Sequence, residues 1–98
     1  MISFVIPALN ESRSIEPTIN TINLSVKENK ITNFEIIIID DGSTDDLEIK
    51  VKDLQLKFNN IFFAKNEKNM GMGYSIKKAI NLIKYEKFMI LPGGNDID

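Results

Sequence analysis

No cysteine and no histidine occur in the 98 residues. The first absence removes any disulfide framework and any thiolate metal site; the second removes a Ser-His-Asp triad and a histidine zinc site. A basic excess is missing too. Twelve Lys and Arg stand against fourteen Asp and Glu, and a net charge of −2 argues against a nucleic-acid partner. No apolar run approaches the roughly 20 residues that span a bilayer. Met1 leads straight into a strand-like run and leaves no room for a signal peptide, so a cytoplasmic location is the default expectation. A place on the cytoplasmic face of a membrane would need a region further along a longer chain. What is present is ordinary globular material, 43% hydrophobic and 27% charged. The length suits one domain or part of one, since domains commonly run to about 100–150 residues.

Four β-branched or aromatic runs stand out: Ile2–Ile6, Phe34–Ile39, Ile61–Ala64 and Phe88–Leu91. They are continuously apolar, as expected of strands covered on both faces. Helical spacing lies between them. Ile15, Ile19, Ile22 and Val26 follow the possible caps Ser12 and Ser14; Leu47, Val51, Leu54 and Phe58 follow Asp45 and Asp46; Ile76, Ala79, Ile80 and Ile83 form a third stripe. The alternation predicts an α/β fold of three layers, αβα, with a mostly parallel sheet and right-handed crossovers. The predicted strand order is 3-2-1-4, with the switch point between the first and fourth strands. Residues 1–98 then read as a single partial domain, the first half of something larger. Its uncovered sheet end would favour self-association.

Ligands of open α/β sheets bind beyond the carboxyl ends of the strands. Those ends carry "PALNE" (Pro7–Glu11), "DDGSTDD" (Asp40–Asp46), "KNEKNMGMG" (Lys65–Gly73) and "PGGNDID" (Pro92–Asp98), so polar and glycine content collects on one rim. Asp40, Asp41 and Gly42 suit a plain βα turn. Two adjacent acids at a buried strand's end nevertheless repel and resist burial, which favours a role for one of them as acceptor for the N–H groups of a base or sugar. Asn69, Gly71 and Gly73 precede the third helix, where glycine lets a backbone approach a ligand and a helix N-terminus favours phosphate. The stretch is neither a Walker A loop nor a dinucleotide fingerprint, and a flexible loop is its plain alternative. Asn10 and Glu11 could bond a ligand or serve only as a loop before the first helix.

Taken together these rims resemble the N-terminal half of the family 2 glycosyltransferases, of the GT-A fold. "FVIPALNE" is similar to the family's first strand and Pro-x-Tyr-Asn-Glu loop. "EIIIIDDGSTDD" is similar to its second strand and acidic turn, "NMGMGYSIKKAI" to its Asn-x-Gly-x-Gly helix opening, and "KFMILPGGND" to the strand that delivers its metal-binding acids. The resemblance implies a Rossmann-like, nucleotide-sugar-binding half of an enzyme of polysaccharide biosynthesis. In that role Pro7, Ala8 and Leu9 would line the base pocket, Asp40 would contact the base, Glu11 the nucleoside, and Asn69 to Gly73 the base and phosphates. It also implies Mg²⁺ or Mn²⁺ on the pyrophosphate of a nucleotide-diphosphate sugar. Two positions depart from the pattern. Leu9 stands where the family often has Tyr, and the Asp-x-Asp site falls on Pro92-Gly93-Gly94, leaving Asp96, with Asp98, as the candidate metal ligand. No residue matches the family's catalytic base. The competing reading is a non-catalytic nucleotide-binding module or a receiver-like signalling module. Receiver domains place paired acids after the first strand and a phosphate-accepting Asp after the third; here the acids follow the second, and the third ends "FFAKNEKN".

Overall fold

The computed structural model describes residues 1–91. In chain order these form β1 (Ile2–Ala8), α1 (Ile15–Glu28), β2 (Phe34–Asp40), α2 (Leu47–Lys57), β3 (Ile61–Lys65), α3 (Met72–Ile80) and β4 (Phe88–Ile90). All strands are parallel and lie in the order β3-β2-β1-β4, the order expected from the sequence. β1 runs beside β2 from Ile2 opposite Phe34 to Ala8 opposite Asp40, so the two strands end level at the rim. β3 ends level with them, Lys65 opposite Asp40.

α1 and α2 cover one face of the sheet. Their stripes bury Ile15, Ile19, Leu47 and Val51 against Ile6, Ile36 and Ile38, none with any exposed surface. Each such side chain contributes about 1.5–3 kcal/mol relative to exposure. α1 ends where Lys30 takes the left-handed conformation (φ 57°) and the Ile31 N–H returns to the Val26 carbonyl at 2.8 Å. Among the described residues α3 is the one helix on the other face, where Val5, Ile37, Ile39 and Ala79 form a smaller core with Ile83 packed against it.

Two expectations change. The third helix buries Ser75 and Ala79 and leaves Ile80 46% exposed, while Ile83 falls beyond the helix end. Small side chains let this helix sit close to the sheet, and the larger ones project beside it. Only the central strands are covered on both faces: Phe62 in β3 and all of β4 (Phe88, Met89, Ile90) stay largely exposed among the described residues. Both are outer strands, and a single short helix does not reach over both sheet edges.

Candidate functional site

Strand geometry explains why the isoleucines of β2 run into two acids. Successive side chains of a strand point to opposite faces. Asp40 therefore follows Ile36 and Ile38 toward the α1/α2 layer, whereas Asp41 follows Ile37 and Ile39 toward α3. The two carboxylates are adjacent in sequence but separated by the sheet, which relieves the repulsion that their proximity suggests.

Each acid organises a different loop. Asp40 is fully buried; its Oδ1 accepts the Ser43 N–H at 2.7 Å, and its Oδ2 is buried without a partner. Ser43 in turn accepts the Asn10 N–H on its Oγ at 2.8 Å, and Asn10 Oδ1 accepts the Thr44 N–H at 2.8 Å. Asp45 completes the seam, accepting the N–H of Ser12 and that of Leu47, both at 3.1 Å. The β1–α1 and β2–α2 loops are thus laced together, with Asn10 held at φ 53° to make the turn. Asp41 reaches the other way. Its Oδ1 accepts the Met70 N–H at 2.8 Å and Asn66 Nδ2 at 2.9 Å, and its Oδ2 accepts the Gly71 N–H at 3.0 Å. Burial works against its charge, yet the hydrogen bonds from Met70, Asn66, Gly71 and Ser75 outweigh it and hold the carboxyl below the ordinary aspartate range. Asp45 is likewise held below that range: burial raises its pKa, and the Ser12 and Leu47 amides more than reverse this.

Gly42 shows how closely the third loop is pressed onto this turn. It sits at φ 86°, and a Cβ there would lie 2.7 Å from Asn69 N and from Lys68 C. Gly71, at φ 95°, needs glycine for its backbone alone, since nothing lies within 4 Å of a Cβ at that site. Gly73 is also open on that side, with no contact within 4 Å.

The structure brings nearly all the sequence-marked residues to one rim. Pro7 and Ala8 are buried beneath it, Leu9 is half-buried, and Asn10 is exposed at its lip. Glu11 anchors the start of α1, its carbonyl accepting the Ser14 and Ile15 N–H groups at 3.0 Å. Asp40, Asp41 and Gly42 form the centre, and Asn69, Gly71 and Gly73 the far wall. Asp96 and the Pro92–Gly94 stretch lie outside the described residues. Sequence reasoning missed Asn66, Ser43, Ser75 and Lys78. Asn66 falls in a stretch that drew notice for Asn69 and its glycines, and only its 3% exposure separates it from its polar neighbours. A hollow of about 570 Å³ sits at the opposite end, between the start of β2 and the end of α2; polar side chains such as Asn23, Gln55 and Asn60 line it, but no carboxylate does. At the rim itself a cleft of about 470 Å³ is walled by Lys65, Asn66, Lys68, Met70, Tyr74 and Lys78.

Residues 3–91 match the family described as Glycosyl transferase family 2. The chain belongs to that family. Poly-beta-1,6-N-acetyl-D-glucosamine synthase of Staphylococcus aureus (strain COL) is 33% identical over 98 residues, covering 99% of this chain and 22% of the synthase. Among solved structures, S. aureus TarS in complex with UDP superposes with a TM-score of 0.81 at 25% identity, covering 94% of this chain and 27% of that one. Glucosyl-3-phosphoglycerate synthase from Mycobacterium tuberculosis, in complex with Mn²⁺, UDP and phosphoglyceric acid, gives a TM-score of 0.72 at 26% identity, covering 95% of this chain and 32% of that one. The family 2 chain spans about a third or less of the length of the curated relatives it matches. The GT-A fold and the family are those expected from its motifs.

One structural neighbour, the M. tuberculosis synthase, is in complex with Mn²⁺. Among the described residues of this chain no group of three acids, or of acids with other ligating side chains, is placed to hold such an ion. Asp40 and Asp41, adjacent in sequence, face opposite sides of the sheet.

Proposed function

We propose that the chain is the donor-binding part of a glycosyltransferase that moves a sugar from a nucleotide-diphosphate sugar to an acceptor. Catalytic base and acceptor site would belong to regions of a longer protein. The supporting observation is the rim itself: three βα loops, from Pro7, Asp40 and Asn69 onward, are laced together around two buried carboxylates at the carboxyl ends of adjacent parallel strands. That position suits a nucleotide in an open α/β sheet.

In this reading Leu9 and the backbone of Pro7 and Ala8 take the flat face of the base, and an acid of the Asp40–Asp41 pair accepts its N–H. The unpaired Oδ2 of Asp40 supports the first acid, but Asp40 has no exposed surface. Asp41, at 6% exposure and beside the Met70–Gly71 wall, is the one set toward the groove. Asp40 then supports the pocket from beneath through Ser43 and Asn10. Glu11 meets the nucleoside, and Asn69, Gly71 and Gly73 border the base and phosphates. Mg²⁺ or Mn²⁺ contributes little here, because Gly94 offers no side-chain ligand where the family carries an acid, and a single carboxylate such as Asp96 supplies few of the roughly six oxygens a divalent ion takes.

Calorimetry with UDP and GDP tests this. Asp41→Asn should weaken binding about ten- to a hundredfold, the worth of a charged hydrogen bond, and Asp40→Ala should weaken it by loosening the Ser43–Asn10 seam beneath the pocket. Gly94→Asp should make binding depend on Mn²⁺. Equal affinity in the parent and both aspartate variants would return the pair to the role of turn residues. Tight Mn²⁺-dependent binding by the parent chain would assign the metal to Asp96 or Asp98.

A further inference from the structure

Asn66 is the first residue after β3, and its backbone N–H continues the ladder by bonding the Asp40 carbonyl at 2.8 Å. Its backbone is therefore fixed by the sheet, and the residue is buried, at 3% exposure. Each hydrogen-bonding capacity of that side chain that the surroundings address is matched by sign. The amide nitrogen carries two N–H donors, and it meets two acceptors, Asp41 Oδ1 at 2.9 Å and Ser75 Oγ at 3.0 Å. The amide oxygen meets a cationic donor, Lys78 Nζ, at 3.1 Å. Reversing the amide would set its oxygen against a carboxylate and its NH₂ against an ammonium, so the charges on either side dictate one orientation.

We infer that Asn66 is a positioning residue for the nucleotide rim: it holds the Asp41 carboxylate in the orientation in which both of its oxygens engage the Met70 and Gly71 amides. The inference rests on the nucleotide-binding reading for its functional consequence, though not for its geometry. Two elements meet at this one side chain: the β2–α2 turn through Asp41, and α3 through Ser75 and Lys78. Asp41 already gives an oxygen to each loop amide, and the Asn66 contact stops the carboxylate from rotating about its Cβ–Cγ bond and releasing one of them. A glutamine would overreach a fully enclosed site. A leucine would leave Asp41 Oδ1, Ser75 and Lys78 each short of a partner. An aspartate would fill the same volume and turn the donor facing Asp41 into a second negative charge.

Asn66→Asp is accordingly the informative change, because it keeps shape and reverses polarity. Amide hydrogen exchange of the ¹⁵N-labelled chain should show Met70 and Gly71 exchanging at least tenfold faster in this variant, with the amides of Val5 and Ile38 unchanged. UDP affinity, by calorimetry, should fall at least tenfold. The double variant Asp41→Asn/Asn66→Asp restores a donor-to-carboxylate contact with its direction reversed and leaves the amide oxygen facing Gly71, so it should recover Gly71 protection relative to Asn66→Asp alone, while Met70, whose N–H shares the Oδ1 position with Asn66, stays fast. Unchanged exchange at Met70 and Gly71 would overturn the inference. So would loss of protection at Val5 and Ile38 to the same extent, which would mark a general loss of fold. The exchange measurement needs no nucleotide: faster exchange with unaltered UDP affinity would support the positioning role and overturn the nucleotide reading instead.

Discussion

Gly42 occupies the narrowest point of the rim, and its lack of a side chain is what lets two loops touch. Its φ of 86° already disfavours any other residue, and an added Cβ meets the backbone of Lys68 and Asn69 at 2.7 Å, atoms that cannot swing aside as a side-chain tip would. Gly42→Ala should therefore lower stability by about 1–3 kcal/mol, the usual cost of a strained backbone conformation, and should also displace the Asn69–Gly71 wall. Urea unfolding gives the first quantity and nucleotide affinity the second. Gly73→Ala is the contrast. No atom lies within 4 Å of its Cβ site, and the residue is inside α3, where replacing Gly by Ala stabilises by about 0.5–1 kcal/mol. A fall in nucleotide affinity in that variant without loss of stability would show that the ligand, rather than the fold, requires the glycine.

The loops behave as elements held by carboxylates, and this makes them sensitive to acid. Asp41 and Asp45 both stand below the ordinary value of 3.8 in the folded chain. A carboxyl whose folded pKa is depressed adds stability above its unfolded pKa and loses it as pH falls through the folded one. The seams at Ser12–Asp45 and at Asp41–Met70–Gly71 should thus be intact at neutral pH and through pH 5. They should loosen progressively below about pH 4, the unfolded range of aspartate. Thermal unfolding followed from pH 7 to 2.5 should show this decline, reduced in Asp45→Asn. That substitution keeps one oxygen for the Leu47 N–H but sets an NH₂ against the Ser12 N–H, and should cost about 1 kcal/mol at neutral pH, the worth of one hydrogen bond. The sequence pointed to Asp45 or Asp46 as the α2 cap. Asp46 holds the cap position without a side-chain bond, and the Asp45 carboxylate does the bonding from one residue earlier.

At the scale of the whole molecule, covering is uneven. The α1/α2 face is closed, the α3 face is thin, and β4 presents Phe88, Met89 and Ile90 at 46%, 48% and 42% exposure. Among the described residues β4 has a single neighbour, β1, so its outer edge offers unpaired backbone groups beside apolar side chains on both faces. Such an edge is a template for pairing with another strand. The 98-residue chain on its own should therefore associate as its concentration rises, and Met89→Lys should reduce this by placing a charge on the edge. Light scattering that shows an unchanged monomer for the parent chain at high concentration would argue against pairing through β4.

The sequence by itself determined the kinds of element, their order and the rim on which polar residues gather. Those follow from local periodicity: isoleucines at helical spacing in α1, an unbroken apolar run in β2, and glycines and acids at the strand ends. The family, too, was legible there, because the "DDGSTDD" turn and the "NMGMG" opening are contiguous stretches. The tertiary structure alone decided which loop each acid serves. Asp40 and Asp41 read as a pair in any window of sequence, and only a sheet with α1 and α2 on one face and α3 on the other sends them to different partners. It also decided the importance of Asn66, whose contacts at Asp41, Ser75 and Lys78 are distant in sequence or lie on another element. It decided that β4, as apolar as β2, remains open among the described residues. A strand's hydrophobicity records what it can bury, and its position in the sheet settles what lies against it.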